Sequence, residues 1–197
     1  MTRAKADNSA SQRTTANEIA LLDAVRRRDR RAFAELYHLY HPRLHGYLRR
    51  ILSNAAIAEE VLDDVMFVVW KDARKFRGDA AISSWIFGIA YRMAMTAARK
   101  EGRYQAPLDR GADADAMPAS SPQDSELIRA ALAELSPDHR QVVELTYFCG
   151  FSYREIATIA RCPVNTVKTR MFHARRRLKY LLPILAGTDK EQTREQV

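Results

Sequence analysis

Hydrophobic residues recur every three or four positions along most of this chain, and the period-two alternation typical of strands is rare. Spacing by three and four places apolar side chains on one face of an α-helix. The pattern predicts helices over about 18–25, 31–52, 54–73 and 83–100, followed by four shorter helices between 124 and 183. We therefore expect an all-α protein.

Capping residues and helix breakers predict where several of these helices begin and end. Asn54 is the predicted N-cap of the third helix, and Ser83 or Ser84 is that of the fourth, because these short side chains accept hydrogen bonds from the first turn. Proline lacks a backbone N–H and clashes with the preceding turn. We therefore expect Pro42 to kink or split the second helix and Pro183 to stop the last one.

Changes in composition divide the chain into two helical domains. Residues 1–17 are polar and predict a disordered tail, whereas 18–100 have the helical pattern of a first domain. Residues 101–123 hold three prolines among Ala, Asp and Ser, which predicts a flexible linker. Residues 124–183 form the second domain, and 184–197 are a tail. The expected fold is two small helical domains joined by a flexible linker.

Charge indicates a polyanionic partner. The chain has 32 Lys and Arg against 24 Asp and Glu, a formal net charge of +8 and a pI near 9.7. The segment from Arg161 to Lys179 has seven cations and no acid, whereas residues 101–123 have four acids and two cations. Such patterning by segment indicates modules with different partners.

A helix-turn-helix pattern lies between Phe151 and Leu178. Its first helix opens with a capping box from Ser152 to Glu155, its turn is Arg161 to Pro163, and a cation-rich helix follows. The second helix of such a motif fits the major groove of duplex DNA. The side chains expected to contact DNA are Pro163, Asn165, Thr166, Lys168, Thr169, Arg170, His173, Arg175, Arg176 and Arg177. The alternative is a solvated basic helix without a ligand.

The predicted third helix combines acids with large apolar side chains. The acids are Glu59, Glu60, Asp63 and Asp64, and the apolar anchors beside them are Met66, Phe67 and Trp70. This combination suits a basic protein partner. The alternative is that the acids only favour the N-terminal half of a helix and that Trp70 belongs to the core.

The predicted fourth helix carries a second candidate surface. Trp85, Arg92, Met95 and Arg99 are spaced by three or four and share one face. An aromatic ring among cations can stack on an unpaired base and neutralise the strand that carries it. For Trp85 the alternative is a role in the core.

Three motifs in a fixed order resemble RNA polymerase sigma factors of the extracytoplasmic-function (ECF) subfamily. The segment AEEVLDDVMFVVW (58–70) resembles the family's polymerase-docking helix, SWIFGIAYRMAMTAARK (84–100) its promoter-melting helix, and 151–178 its C-terminal helix-turn-helix. Four positions depart from the family pattern. Asp63 stands for Gln, Met66 for an aromatic residue, Asn165 for Gly, and Tyr91-Arg92 for Arg-Asn.

The resemblance implies a role in transcription initiation. The first domain would bind the clamp helices of core RNA polymerase and the melted −10 element, and the second would bind the −35 element and the polymerase flap. The loop before the fourth helix would hold a flipped −10 base, which adds Arg77, Asp79, Ser83 and Ser84 to the −10 set. An anti-sigma factor would control the protein, in a stress response. The resemblance implies no catalysis, cofactor or metal. Residues 1–17 lack an apolar signal core and no apolar run approaches membrane-spanning length, so we expect a cytoplasmic protein without membrane contact of its own.

Two other classes of protein remain as alternatives. A stand-alone helix-turn-helix regulator would bind operators without polymerase. An enzyme built on a helical bundle would need a nucleophile motif, a Glu-x-x-His pair or a phosphate-binding loop, and none occurs. His38, His41 and His45 share a helix face and suggest a metal site, although a surface trio without metal is the favoured interpretation. Two Cys residues predict buried reduced thiols, with a redox switch as the alternative.

Overall fold

The computed structural model describes residues 15–101 and 122–186, and every regular element in these two ranges is helical. The helices are α1 (15–26), α2 (Arg30–Ile51), α3 (Ala55–Asp72), α4 (Ile82–Glu101), α5 (Pro122–Ala133), α6 (Pro137–Val143), α7 (Tyr153–Ala160) and α8 (Val164–Leu185). A 3₁₀ turn at Ala73–Lys75 follows α3, and a π-turn at Glu144–Phe148 extends α6. The all-α prediction is confirmed.

Side-chain caps set the starts of α2 and α3. The Asp29 carboxylate accepts hydrogen bonds from the backbone N–H groups of Arg31 (2.8 Å) and Ala32 (3.2 Å). The predicted N-cap Asn54 is confirmed, because its amide oxygen accepts from the first turn of α3 at 2.8 and 3.4 Å. Each cap satisfies donors that have no partner within the helix.

The predicted cap of α4 is wrong. The helix begins at Ile82, one or two residues before the expected serines. Ser84 lies inside the helix, is 2% exposed, and its hydroxyl has no hydrogen-bond partner in the described part of the chain. Packing of the apolar Ile82 and Ile86 into the core therefore decides where α4 begins.

Neither proline ends its helix. Pro42 lies inside α2, and Pro183 lies inside α8, which continues to Leu185. Both prolines are exposed, while the flanking Leu44 and Leu181 are buried. The packing of the buried face holds each helix together across the missing hydrogen bond. The expectation that Pro42 splits its helix and that Pro183 stops the last one is therefore corrected.

The N-terminal domain is formed by α1 to α4 around one apolar core. Its largest fully buried side chains include Tyr40, Leu44, Leu62, Met66 and Phe87. Helix α3 packs against both α2 and α4, so that one face of α3 remains free for other contacts. The Arg26 side chain ties α1 to the end of α3 by donating to the carbonyl oxygens of Ala73 (3.1 Å) and Phe76.

The C-terminal domain contains the expected helix-turn-helix. Ser152 and Glu155 form the predicted capping box at the start of α7. Arg161 ends that helix in the left-handed conformation, with φ at +51°, which turns the chain sharply into α8. Ile156, Ile159 and Val167 are fully buried between the two helices. The predicted helix-turn-helix is confirmed.

The two domains pack against each other, which no pattern in the sequence predicts. Helix α7 lies along α4, and the π-turn and α6 contact α2. The rings of Phe87 on α4 and Phe151 before α7 meet edge to face, with centroids 4.9 Å apart. Buried residues of both domains therefore form one continuous apolar core.

The predicted tails and linker fall mostly outside the described residues. Residues 1–14, 102–121 and 187–197 are not described. Several boundaries change. Residues 15–17 belong to α1 rather than to a tail, Glu101 belongs to α4 rather than to the linker, and 122–123 belong to α5 rather than to the linker. Near the C-terminus, 184 and 185 continue α8.

Candidate docking and nucleic-acid interfaces

Helix α8 presents a cationic face to solvent. Its inner face is buried through Val167, Met171 and Ala174, which pack on the rest of the C-terminal domain. The helix carries six cations and no Asp or Glu between Val164 and Leu185. A helix with this charge can enter a DNA groove without carboxylate repulsion and can release counterions from the phosphates.

The predicted DNA-contacting residues lie mostly on the exposed part of α8. The exposed ones are Pro163, Asn165, Lys168, Thr169, His173, Arg175, Arg176 and Arg177. Thr166 and Arg170 are half-buried. Three of these residues share one face of α8, because spacings of four and seven residues are close to one and two helical turns. They are Asn165, Thr169 and Arg176, and their face lies opposite the buried one.

Three of these side chains already have partners within the domain. Arg170 forms an ion pair of 2.7 Å with Asp138 on α6. Arg175 donates to the Tyr147 hydroxyl at 2.6 and 3.1 Å. The rings of His173 and His139 stack with centroids 5.9 Å apart. Burial, followed by His173, lowers the pKa of His139 below its ordinary value.

Phe172 is a residue of this face that sequence reasoning missed. It lies between Thr169 and Arg176 and is 62% exposed, which is unusual for a large apolar side chain. An apolar side chain in the major groove can contact the methyl group of thymine. The sequence did contain a sign of this exposure. Phe172 is a large apolar residue among polar ones on the face of α8 that lies opposite its buried residues.

Helix α3 presents an exposed acidic face with an exposed aromatic residue at its C-terminal end. Glu59, Glu60, Asp63 and Asp64 are all exposed, and Phe67, one helical turn after the last two, is 62% exposed. An exposed aromatic ring next to carboxylates fits a basic partner that also has an apolar pocket. The predicted surface is therefore present on one helix.

Two of the predicted anchors on α3 are not on this surface. Met66 is 1% exposed and belongs to the core, so its assignment as a polymerase contact is corrected. It sits one helical turn from Leu62, on the stripe that packs against α2 and α4. Trp70 is half-buried between Phe33, whose ring centroid is 5.1 Å away, and the Arg28 guanidinium at 5.3 Å.

Helix α2 borders the acidic face with aromatic and histidine side chains, which sequence reasoning did not place there. The Tyr37 hydroxyl donates to Asp63 at 3.1 Å, and His45 Nε2 lies 3.0 Å from a Glu59 carboxylate oxygen. His41 stacks on His45 with centroids 5.7 Å apart. In the described ranges no three His, Cys, Asp or Glu side chains are grouped in a way that could hold a metal ion.

The face predicted on α4 is only partly available. Arg92 and Arg99 are exposed, whereas Trp85 is half-buried against Phe76, with ring centroids 5.3 Å apart. Met95 is only 9% exposed, so its assignment as a DNA contact is corrected, because its side chain is buried. The assignment of Ser84 is corrected for the same reason, since that residue is buried.

The loop before α4 supplies the remaining predicted −10 residues. Arg77 and Asp79 are exposed and Ser83 is half-buried. Gly78 between the first two has a φ of +82°, which lies in the left-handed region that favours glycine. The loop therefore turns sharply and leaves polar side chains on both sides of the turn facing solvent.

Two family models match the chain, one in each domain. The model of Sigma-70 region 2 matches residues 36–104, and that of Sigma-70 region 4 matches residues 125–178. The ECF RNA polymerase sigma factor RpoE of Cereibacter sphaeroides is 33% identical over 168 residues, which cover 82% of this chain and 92% of that protein. This chain belongs to the ECF family of RNA polymerase sigma factors.

Other sigma factors are similar over the same extent. The RNA polymerase sigma-H factor of Pseudomonas aeruginosa is 31% identical over 181 residues, which cover 84% of this chain and 94% of that protein. The sigma factor RpoE of Bartonella quintana, solved in complex with the anti-sigma factor NepR, superposes with a TM-score of 0.65 at 27% identity, covering 77% of this chain and 97% of that one.

As a sigma factor, the protein acts in transcription initiation, and the stand-alone regulator is not favoured. The residues matched by the two family models carry all three candidate surfaces, since α3 and α4 lie in region 2 and α8 lies largely in region 4. No helix in the described ranges 15–101 and 122–186 is long and apolar enough to cross a bilayer.

Proposed function

We propose that this sigma factor selects promoters through three separate surfaces. The acidic face of α3 binds core RNA polymerase, α4 and the preceding loop bind the melted −10 strand, and α8 reads the −35 element as duplex. The observation that carries the proposal is the separation of charge, with exposed acids on α3 and an acid-free cationic face on α8.

Promoter reading by α8 is supported by the side chains at the start of its outward face. Asn165 and Thr169 have hydrogen-bonding groups of the kind that reads base edges. Lys168, Arg176 and Arg177 are exposed and can neutralise phosphates on either side of the groove. Because Asn165 stands where the family has Gly, the preferred −35 sequence is specific to this chain.

Capture of the −10 strand is supported by α4 and its loop. Arg92 and Arg99 are exposed cations seven residues apart, which is close to two helical turns, so they can follow one strand. Trp85 remains half-buried and can offer only part of its ring to a base. Arg77 and Asp79 are exposed and can contact a base outside the stack.

Polymerase binding is supported by the arrangement around Phe67. The ring is exposed, while Asp63 and Asp64 one helical turn earlier are exposed as well. An aromatic anchor with charges at its rim combines affinity with long-range attraction to a basic partner. Asp63 stands where the family has Gln, which increases the negative charge at this surface.

The polymerase supplies the catalysis, and this subunit supplies the choice of promoter. We assign no catalytic residue, cofactor or metal to it, and we place its action in the cytoplasm with the chromosome. The complex of the Bartonella quintana relative with NepR supports control of this chain by an anti-sigma factor. Such a partner would act by covering one or more of the three surfaces.

Transcription in vitro with purified core polymerase tests the proposal. Run-off transcription on a genomic library, with sequenced start sites, is expected to yield discrete starts that share one −35 and one −10 motif. Core enzyme without the sigma factor is the control and should show no such set. Tight operator binding by the protein alone, with no discrete starts in the presence of core enzyme, would instead support a stand-alone regulator.

A further inference from the structure

A strongly basic surface of the N-terminal domain is left almost entirely unused by the proposed function. It is formed by the turn between α1 and α2, residues 26–31 (RRRDRR), and by the end of α3 with the segment that follows it, residues 71–77 (KDARKFR). In these two segments nine cations stand against two acids. We call the cations the arginine patch, which consists of Arg26, Arg27, Arg28, Arg30, Arg31, Lys71, Arg74, Lys75 and Arg77.

Side-chain hydrogen bonds to backbone carbonyl groups hold the two segments together. Arg26 donates to the carbonyl oxygen of Ala73 at 3.1 Å, and Arg74 Nε donates back to that of Arg26 at 3.1 Å. Arg28 Nη1 donates to the carbonyl oxygen of Trp70 at 2.8 Å. The bonded residues are 42 to 48 positions apart in the chain. The fold therefore joins two separate runs of charge into one surface.

Four cations of the arginine patch keep their side chains free for a ligand. They are Arg27, Arg30, Arg31 and Lys71, and all four are exposed. Within residues 15–101 and 122–186 their side chains form no hydrogen bond or ion pair. The other members of the patch mostly hold the fold together, so these four provide its available charge.

The two acids of these segments are already engaged elsewhere. The Asp29 carboxylate accepts hydrogen bonds from backbone N–H groups in the first turn of α2, at 2.8 and 3.2 Å. Asp72 lies 2.9 Å from the Lys75 ammonium group. Neither acid forms an ion pair with the four free cations, whose charge therefore has no close compensation.

The stability of α2 gives no reason for cations at its start. Arg30 and Arg31 lie in the first turn of this helix, which contains no acid. The N-terminal end of a helix carries partial positive charge, so acids stabilise it and cations do not. Packing does not require these two side chains either, because both are exposed. A polyanionic ligand would account for their presence.

The arginine patch adjoins the surface proposed for the −10 strand. Arg77 belongs to both, since it lies in the loop before α4. The Arg26 guanidinium carbon lies 5.7 Å from the centroid of the Phe76 ring, and that ring is 5.3 Å from the ring of Trp85 on α4. A strand held by the loop therefore meets the patch when it continues past the start of α4.

We propose that the arginine patch binds the phosphate backbone of the melted strand beyond the −10 element, on the side of the transcription start. The inference rests on the proposed function, because α4 and its loop must already hold the strand. The patch extends the contact with this strand without reading its sequence.

The order of the elements gives the direction of the strand. The chain leaves α4 at Glu101 and continues to the C-terminal domain, which binds the −35 element in the proposed function. The Arg99 end of α4 therefore points upstream, and its beginning at Ile82 points toward the transcription start. Because the patch lies next to the beginning of α4, the strand that reaches it is the one downstream of −10.

The composition of the patch fits phosphates rather than bases. A guanidinium group donates two parallel hydrogen bonds to a phosphate and keeps its charge over the whole working range of pH. Residues 26–31 and 71–77 contain no Asn, Gln, Ser or Thr, the neutral side chains that commonly read base edges. Phosphate contacts position a strand and carry no sequence information. We therefore expect binding that does not depend on the bases.

The number of free cations sets the size of the expected effect. Each single-strand phosphate that is neutralised contributes about 0.7 to the slope of log affinity against log salt. Four such contacts change affinity about 50-fold between about 50 and 200 mM salt. An effect of this size is measurable in the presence of the other contacts of the polymerase complex.

Two forked promoter fragments test the proposal in the complex of full-length sigma factor and core polymerase. Both carry the −35 duplex and the unpaired −10 strand of a promoter identified by run-off transcription. In the short fork this strand ends with the −10 element. In the long fork it continues with about eight thymidines, a usual length for a single-strand site. Fluorescence anisotropy gives both dissociation constants, and their ratio isolates the contacts beyond −10.

The variant Arg27→Ala/Arg30→Ala/Arg31→Ala removes three of the four free cations. We expect it to reduce the advantage of the long fork at least about fivefold at about 50 mM salt, and the loss should shrink as salt rises. Circular dichroism checks that the variant is folded. If it is not, Arg27→Ala/Lys71→Ala, which leaves α2 unchanged, takes its place. An unchanged ratio in the folded variant would overturn the proposal.

The matched control is Lys100→Ala/Arg154→Ala/Lys179→Ala. It removes three exposed cations outside the arginine patch and makes the same change in net charge. Because its effects apply to both forks equally, the ratio should change less than about twofold. An equal loss of the ratio in the two triple variants would show that only net charge matters, and it would overturn the proposal.

The outcomes separate this inference from the proposed function. Discrete starts and normal binding of the short fork, with an unchanged ratio in the patch variant, would retain the proposed function and overturn the inference. Weaker binding of the patch variant to core polymerase, again with an unchanged ratio, would show that the patch contacts protein instead of DNA. Equal affinity of the complex for forks with the natural and a scrambled −10 element would remove the proposed function and this inference with it.

Discussion

The Tyr37 hydroxyl on α2 donates a hydrogen bond of 3.1 Å to the Asp63 carboxylate on α3. Burial, followed by this carboxylate, raises the pKa of the phenol, so Tyr37 remains a proton donor at neutral pH. The bond leaves Asp63 exposed while fixing its direction. The acidic face of α3 is thus partly preorganised before any partner binds, which reduces the entropy lost on association.

Charge reversal on α3 is expected to weaken polymerase binding. Asp63→Lys and Asp64→Lys should each reduce affinity for core enzyme about fivefold or more, which corresponds to about 1 kcal/mol per variant. Because exposed charges act mainly on association, the effect should appear in kon and shrink at high salt. Biolayer interferometry with immobilised core enzyme measures both rates.

The control for this prediction is Glu134→Lys, which reverses an exposed acid in the other domain. It makes the same change in net charge and should alter affinity less than about twofold. If all three variants weaken binding equally, the attraction depends on net charge, and α3 is not the docking surface.

The helical pattern predicted the fold well because burial decides it. Leu36, Leu44 and Leu48 are fully buried, as the spacing of three and four requires. The start of a helix was predicted correctly where one short side chain caps the adjacent turn, as Asn54 does for α3. They failed at Ser84, where apolar packing placed the serine inside the helix instead of at its start.

The surfaces were predicted less completely than the helices. Acids and cations are recognisable by residue type, but an apolar residue such as Phe67 or Met66 is exposed or buried according to helix phase, and adjacent positions differ by about 100°. Contacts between the domains had no sequence signal, because Arg50 and Glu144 are 94 positions apart and each resembles a solvated charge. Long-range pairing of this kind depends on the tertiary arrangement.

Loss of the Phe172 ring is expected to weaken recognition of the −35 element. Phe172→Ala should reduce affinity of the polymerase complex for a matched promoter by about 1 kcal/mol, about fivefold, because the ring loses its apolar contact with a thymine methyl. Replacing each thymine of the element in turn by uracil should identify that partner, because the effect of the variant disappears at that position. Fluorescence anisotropy with labelled duplexes measures the affinities.

Tyr180→Ala provides the matched control for Phe172. Tyr180 is 61% exposed on the same helix, but it lies eight residues further along, about 12 Å at 1.5 Å per residue. We expect less than a twofold change. Equal losses for the two variants would indicate a general effect on α8 and would contradict a specific contact by Phe172.

The capping box of α7 is expected to stabilise the helix-turn-helix measurably. Ser152 accepts a hydrogen bond from the Glu155 N–H at 3.3 Å, and the Glu155 carboxylate accepts from the Ser152 N–H at 2.8 Å. Ser152→Ala should lower the free energy of unfolding by about 0.5–2 kcal/mol. Ser136→Ala is the control, because Ser136 is also an N-cap but its side chain makes no capping bond. Urea titrations measure both, and equal losses would contradict a specific role of the box.

The free energy of unfolding is expected to depend on pH through Glu144. Burial raises the pKa of this carboxyl above its ordinary value of 4.5 in the folded chain. A group whose pKa is raised by folding stabilises the folded state fully below its ordinary pKa, and that contribution is lost as pH rises through the raised value. Relative to Glu144→Gln, which stays neutral, the wild type should therefore lose stability as the pH rises above 4.5. Urea titrations at several pH values measure the difference, with the exposed Glu134→Gln as control. The prediction is contradicted if the difference in the free energy of unfolding between wild type and Glu144→Gln does not change with pH. That result would show that the pKa of Glu144 is not raised and that desolvation does not offset its pairing with Arg50.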